Sequence, residues 1–259
     1  MSGTGAARWS IVNVSLYQAA AALNANARWQ EVISENLASS SIPGYKKQDL
    51  SFSAVQGGVM SQAVNDPRLR FSLSRADTAT NFAPGEMKMT GVNTDVAIEG
   101  AGFFGVQLAS GATGYTRDGE FQVNAQGQLA TKQGYLVLGE SGPIQLDKGN
   151  SSPMAISPTG EISQGEDIKG KLKIVTFDQP QLLTSINGGC FIANHPNLVP
   201  NEVQQPSLRQ GYLEGSNTSS VSEMVNLITA MRTFEANQRI IQMQDQRMGQ
   251  AISELGNPS

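Results

Sequence analysis

The chain has 259 residues and a formal net charge of −4, and charged residues make up only 15% of it, well under the usual share of about 25%. That balance gives no basic footprint for nucleic acid and no polybasic patch for acidic lipid. A single cysteine, Cys190, and a single histidine, His195, exclude an internal disulfide, a cysteine metal cluster and a multi-histidine site. No metal or cofactor is expected.

Residues 1 to about 9 are small and polar and predict no regular structure. The longest unbroken apolar run near the N-terminus, Ala19 to Leu23, is too short and alanine-rich for the core of a secretory signal. Nothing approaches the roughly 20 apolar residues of a membrane span. These features fit a cytoplasmic protein or one exported without a cleaved signal.

From Ser10 or Asn13 to Ser40 the pattern is helical. Leu16, Ala20, Leu23 and Ala27 share one stripe, and Trp29, Ile33 and Leu37 continue along a shifted one. Ser39-Ser40-Ser41-Ile42-Pro43-Gly44 ends it, because Pro43 cannot extend a helix and biases Ile42 away from the α region. Residues 1–44 are read as the first half of a helical domain.

Residues 45–90 are read as an extended connector with one or two hairpins. Leu50, Phe52 and Val55, then Leu69, Phe71 and Leu73, alternate with polar residues, and Asn65-Asp66-Pro67 and Pro84-Gly85 mark turns. Residues 91–211 form the central β domain. Asp95 to Ile98, Phe103 to Val106, Tyr115-Thr116, Phe121 to Val123, Tyr135 to Leu138 and Lys171 to Phe177 are strand-like, with glycine-marked turns every 8 to 12 residues. An antiparallel sandwich or barrel follows.

Residues 212–259 complete the helical domain. Ser220-Val221-Ser222-Glu223 is a capping box, and Gly256-Asn257-Pro258 is a stop signal. Between them Leu227, Phe234, Ile241, Met248 and Leu255 recur every seventh residue. A companion series, Met224, Met231, Gln238, Asp245 and Ile252, is apolar at its ends and polar in the middle. Interleaved, the two give the 3-4 spacing of a coiled coil, and 36 helical residues would reach roughly 50 Å.

Neither terminal helix has a seam apolar enough to stand alone. Pairing the first with the last closes one discontinuous coiled-coil-like domain, so the expected fold is α+β. Leu16, Leu23, Ile33, Leu37, Met224, Leu227, Met231, Phe234, Ile241, Met248 and Leu255 are the expected packing positions. Val221, Val225 and Ile228 are flanks for neighbouring subunits, and Gln238 and Asp245 are polar seam residues suited to fixing register. The Glu235–Arg239 pair contributes only about 0.2–0.5 kcal/mol.

Chemistry is thinly represented. Cys190 and His195 stand five apart in a loop-rich stretch, but no third orienting residue accompanies them. Asp118 and Glu120 resemble a carboxylate pair, yet the Asp118-Gly119 turn explains Asp118. Gly100-Ala101-Gly102 precedes strand residues, so it is not a phosphate loop. Arg117 suits a structural salt bridge, and the nine methionines suit adaptable packing. An enzyme is not expected; a cell-wall hydrolase on a β scaffold is the rival of another class.

Three stretches resemble a known family. Asn36-Leu37-Ala38-Ser39-Ser40-Ser41-Ile42-Pro43-Gly44-Tyr45-Lys46 is similar to the N-terminal signature of flagellar basal-body rod and hook proteins, with Ser39 where asparagine is usual and Ile42 where threonine is usual. Gly211 to Asp245, which includes Leu213, Glu214, Ser216, Asn217, Glu235 and Asn237, resembles the family's C-terminal elements in order. Asp95 to Val106 and Tyr115 to Gly139 are similar to its central β domain.

The resemblance implies export through the flagellar type III apparatus without a cleaved signal, and assembly with copies of itself and other axial proteins. It implies a hollow tube that transmits motor torque, with terminal helices inside and the β domain outside. One β domain, a short connector with only Gly57-Gly58, and the segments Leu213 to Asn217 and Glu140 to Ile144 are more like the proximal rod branch than the distal rod or hook branches.

Overall fold

The computed structural model describes residues 4–59, 70–150, 152–186 and 189–255. They divide into two units, one of residues 1–35, 48–79 and 221–259 and one of residues 36–47 and 80–220. The turn expected at Asn65-Asp66-Pro67 and the stop signal at Gly256-Asn257-Pro258 lie outside the described residues.

In the first unit, α1 spans Thr4–Ala38 and α2 spans Ser220–Leu255, with residues 36–38 of α1 and Ser220 of α2 belonging to the second unit. α1 begins at Thr4, not at Ser10 or Asn13, and Ala6, Ala7 and Arg8 supply good helix formers upstream of Ser10. Strands Gln48–Val59 and Arg70–Thr80 pair in a two-stranded sheet. The Phe52 ring meets Trp29 edge to face at 6.0 Å.

The expected α+β fold with a coiled-coil-like helical domain is overturned. Among the described residues the elements are mostly strands, and α1 and α2 do not form a coiled coil. The reason lies in the phase of the seams. The covered side of α2 carries Glu223, Leu227, Ala230, Phe234, Asn237, Ile241, Gln244 and Met248. Every second member is therefore small or polar. The companion series faces water instead, with Met224 and Met231 each 52% exposed and Ile252 56% exposed. Among the described side chains of α1 the buried ones are Ala25, Asn26, Val32, Ile33 and Asn36, whereas Ala20 and Ala27 of the predicted stripe are exposed.

A polar peg replaces the apolar zipper. With its amide turned to satisfy both groups, Asn26 donates to the Ala230 carbonyl at 3.2 Å and accepts from the Phe234 N–H at 2.9 Å. Gln30 Nε2 donates to the same carbonyl at 3.4 Å. Ala230 is fully buried, and its lack of a long side chain leaves its own backbone open to Asn26.

The second unit is a β body. Its main sheet runs in the order Thr184–Ile186, Cys190–Ile192, Thr113–Thr116, Phe103–Gln107, Leu136–Gly139, Leu129–Thr131 and Phe121–Val123, with Gly142–Pro143, Ile174–Thr176 and Asn201–Glu202 as side branches. The strands Met154–Ile156, Glu161–Gln164 and Asp167–Lys171 form a three-stranded sheet. Val96–Ile98 pairs with Leu208–Gln210, and Met87–Met89 pairs with Tyr212–Glu214, both antiparallel.

Successive strand residues point to opposite faces, and here both faces are covered. Phe104 and Ile174 stand opposite one another and belong to one apolar cluster; Phe103 and Val175, also opposite, belong to the other. This two-sided burial is why Phe103-Phe104-Gly105-Val106 reads as an unbroken apolar run.

Candidate functional site

The residues at the two ends of the β body's chain are drawn to one place. After α1 the chain turns through Ser39 to Tyr45, with Ile42 N–H donating to Ser39 O at 3.1 Å. Gly44 has φ of +66°, and a Cβ there would lie 2.2 Å from the Arg117 carbonyl carbon, so only glycine fits. Its N–H donates to Glu214 O at 2.7 Å. Lys46 is thereby placed beside the Glu214 side chain, with Nζ 2.5 Å from Oε1.

Glu214 closes the strand Tyr212–Glu214, whose pairing with Met87–Met89 brings a third segment in. Gly85 N–H donates to Glu214 Oε1 at 2.8 Å, and Lys46 Nζ donates to Ala83 O at 2.9 Å. Arg117, from the turn after Thr113–Thr116, places Nη1 3.5 Å from Glu214 Oε2. It also donates to Ile98 O at 3.3 Å and to Gly100 O, and its guanidinium lies over the Phe103 ring at 5.6 Å.

Asn217 fastens the rim. Its Oδ1 accepts from Lys47 N–H at 2.8 Å, and its Nδ2 donates to Asn81 O at 2.8 Å and to Ala83 O at 3.0 Å. Its own N–H donates to Tyr45 O at 3.3 Å, and Tyr45 OH donates to Asn36 Oδ1 at 3.2 Å. Ser216 Oγ accepts from Thr218 N–H at 3.1 Å, and Ser220 and Ser40 share a hydroxyl contact of 3.1 Å.

The side chains of Lys46 and Glu214 are 1% and 3% exposed, so the ion pair is screened little by solvent. Burial pushes the Lys46 ammonium below its usual range, and the Glu214 carboxylate opposes that shift. Burial also lowers the Arg117 guanidinium, again against Glu214. The junction holds two cations and one carboxylate.

Of the predicted motif residues, Asn36, Gly44, Tyr45, Leu213 and Glu214 are buried, Leu37, Pro43, Ser216 and Asn217 are half-buried, and Ala38 ends α1 exposed. Glu235 and Asn237 lie along α2, exposed and half-buried respectively. Of the predicted packing positions, Ile33 is buried; Leu23, Leu227, Phe234, Ile241 and Met248 are half-buried; Met224 and Met231 are exposed. Leu16 and Leu255 are helical, with side chains outside the described residues. Lys46 was not singled out by the sequence reading as an interacting group. The available signal was a lysine placed directly after the Pro43-Gly44-Tyr45 turn, matched to the lone carboxylate closing Tyr212-Leu213-Glu214.

The chemical candidates are explained by packing. Cys190 is buried and burial pushes its thiol up to about 11, whereas His195 is exposed and its Nδ1 accepts from Asn197 N–H at 3.3 Å. Asp118 is buried, accepts from Glu120 N–H at 2.9 Å, and is lifted to about 6, first by burial. Glu120 instead pairs outward with Lys132 at 2.6 Å.

Comparisons with known proteins agree on one family. Residues 97–164 match the model described as "Flagellar hook protein FlgE/F/G D1 domain", and residues 209–254 match "Flagellar basal body rod FlgEFG protein C-terminal". The chain is 31% identical to the flagellar basal-body rod protein FlgF of Caulobacter vibrioides, across 87% of this chain and 91% of that one. It is likewise 31% identical to FlgF of Escherichia coli, across 92% and 96%. It is 32% identical to the rod protein FlgG of Buchnera aphidicola subsp. Baizongia pistaciae, across 90% and 96%.

Proposed function

We propose, from the premise that this chain belongs to the flagellar basal-body rod protein family, that it is a structural subunit of the rod. It assembles with copies of itself and with other axial proteins into a hollow helical tube that transmits motor torque through packed interfaces. The observation that carries this reading is the open stripe on α2. Val221, Met224, Val225, Ile228 and Met231 follow helical spacing and are each more than half exposed. A contiguous apolar face of this length marks an interaction surface.

The proximal branch, FlgF, is favoured over the distal branch, FlgG; the supporting features are the short connector and the segments Leu213 to Asn217 and Glu140 to Ile144. The chain reaches the periplasmic part of the rod through the flagellar export apparatus, unfolded and without a cleaved signal. The predicted positions Leu16, Leu23, Ile33, Leu37, Leu227, Phe234, Ile241, Met248 and Leu255 pack within and between subunits around that stripe. The junction of Lys46, Glu214, Arg117 and Asn217 ties the segment that follows α1 and the segment that precedes α2 into the β body.

Gold-labelled antibody on isolated basal bodies tests this. Label should fall on the rod at its cell-proximal part; basal bodies with intact rods and no label overturn the reading. Val225→Asp with Ile228→Asp should abolish incorporation while leaving the thermal unfolding of the β body unchanged.

A further inference from the structure

Beside the junction lies a cavity of about 390 Å³ whose lining includes Phe82, Phe103, Phe177, Pro180 and Arg117. The aromatic walls are mutually braced, with Phe82 and Phe177 meeting Phe103 at 5.7 and 6.0 Å. Arg117 is 8% exposed, and its Nε is buried without a hydrogen-bond partner. Lys46 and Arg117 share one carboxylate, Glu214, so this group of three side chains holds one more cation than carboxylate next to an apolar hole. One carboxylate shared by two buried cations leaves their charge incompletely balanced, and an added carboxylate would balance it. The fitting ligand is a branched apolar side chain flanked by acidic groups.

The same chain displays such a group. Glu161–Gln164 and Asp167–Lys171 form a hairpin, and its tip reads Gly165-Glu166-Asp167-Ile168. Ile168 is 72% exposed. The pairing register shifts beside it, between Ile162 and Ser163, and bulges of this kind re-aim a side chain. Asp167 pairs with Lys169 at 3.3 Å, while Glu166 makes no ion pair among the described residues. The other exposed large apolar residues of the β body lack a flanking acidic residue, as Val92 between Gly91 and Asn93 and Leu182 between Gln181 and Leu183 show. Met89 follows Lys88, Val123 lies between Gln122 and Asn124, and Val199 lies between Leu198 and Pro200.

We infer that the Glu166-Asp167-Ile168 tip of one copy docks in the Phe82–Phe103–Phe177–Arg117 cavity of the next. Knob and hole are different patches, so the contact is head-to-tail and propagates into a ring or an open helix. The inference rests on the proposed rod function and gives its outer layer a specific contact.

The test uses the full chain carrying Ala101→Cys at the exposed lip of the cavity, Ile168→Cys at the tip, or both. Cys190 stays unreactive because it is buried. Under mild oxidation the double variant should give a ladder of covalent multimers. An equal mixture of the two single variants should give one dimer whose disulfide maps to positions 101 and 168. Glu166→Lys with Asp167→Lys should slow dimer formation by about tenfold or more. A 101–168 disulfide confined to monomers overturns the inference, as does an unchanged rate in the charge-reversed chain. Tubes on electron micrographs without this cross-link overturn the contact alone. The cross-linked dimer without any tubes supports the contact and counts against the rod reading. Neither tubes nor cross-link overturns both.

Discussion

Lys46 and Glu214 stand 168 positions apart in the chain and 2.5 Å apart in space. Their contact is buried, it recruits Ala83 and Gly85, and it shares its carboxylate with Arg117. Glu214→Gln leaves two buried cations without a counter-charge, which should cost about 3–5 kcal/mol in urea unfolding of the β body. Lys46→Met in the Glu214→Gln background should cost far less than Lys46→Met alone. Additive losses would mean that the two side chains are not energetically coupled.

Asn217 serves the junction through both ends of its amide. Asn217→Asp keeps the acceptor for Lys47 N–H but loses the donors to Asn81 O and Ala83 O, and should cost about 1–2 kcal/mol. Asn217→Ala loses all three and should cost more. Equal losses for the two variants would show that the acceptor for Lys47 N–H carries nothing.

Gly44 is pinned by both backbone angle and space. Gly44→Ala demands a left-handed residue and drives a Cβ into the Arg117 backbone, so destabilisation above about 2 kcal/mol is expected by calorimetry. Gly91→Ala is the control: its φ is also positive, at +70°, but nothing crowds the added carbon. It should cost only about 1–2 kcal/mol.

Asp118 is lifted from 3.8 to about 6 by burial. Between those values the folded chain binds more protons than the unfolded one, so this group's contribution to stability falls as pH rises through that window and is smallest above about 6. Asp118→Asn keeps an acceptor for Glu120 N–H and removes the charge. It should stabilise the protein by about 1–3 kcal/mol at pH 7 and by almost nothing below pH 4. A gain that did not vary with pH would rule out the buried charge as its source.

Cys190 should resist alkylation by iodoacetamide at pH 8 in the folded protein and react at once in guanidinium, since burial both shields the sulfur and holds its proton, with the thiol at about 11. Mass spectrometry of the intact chain reads the outcome.

The β body was legible because two-sided burial writes apolar runs into the sequence, and tight turns demand glycine between them. The helices were legible as helices, but not their arrangement. Heptad counting favoured Met224 and Met231 over Ala230 and Asn237, because it weighs apolarity and cannot see that Asn26 meets the Ala230 and Phe234 backbone. A polar peg needs a small residue opposite it, and that requirement leaves no apolar period. The junction was half legible. Its motif residues stood out by resemblance, whereas the pairing of Lys46 with Glu214 joins segments whose sequence separation hides it.

A clasp whose halves are made so far apart sets an order of events on the ribosome. While the polypeptide is still emerging, Lys46 has no counter-ion and the turn at Gly44 has no carbonyl to hold it. The front of the molecule therefore stays unlatched until the segment bearing Glu214 and Asn217 arrives, and maturation waits on the tail.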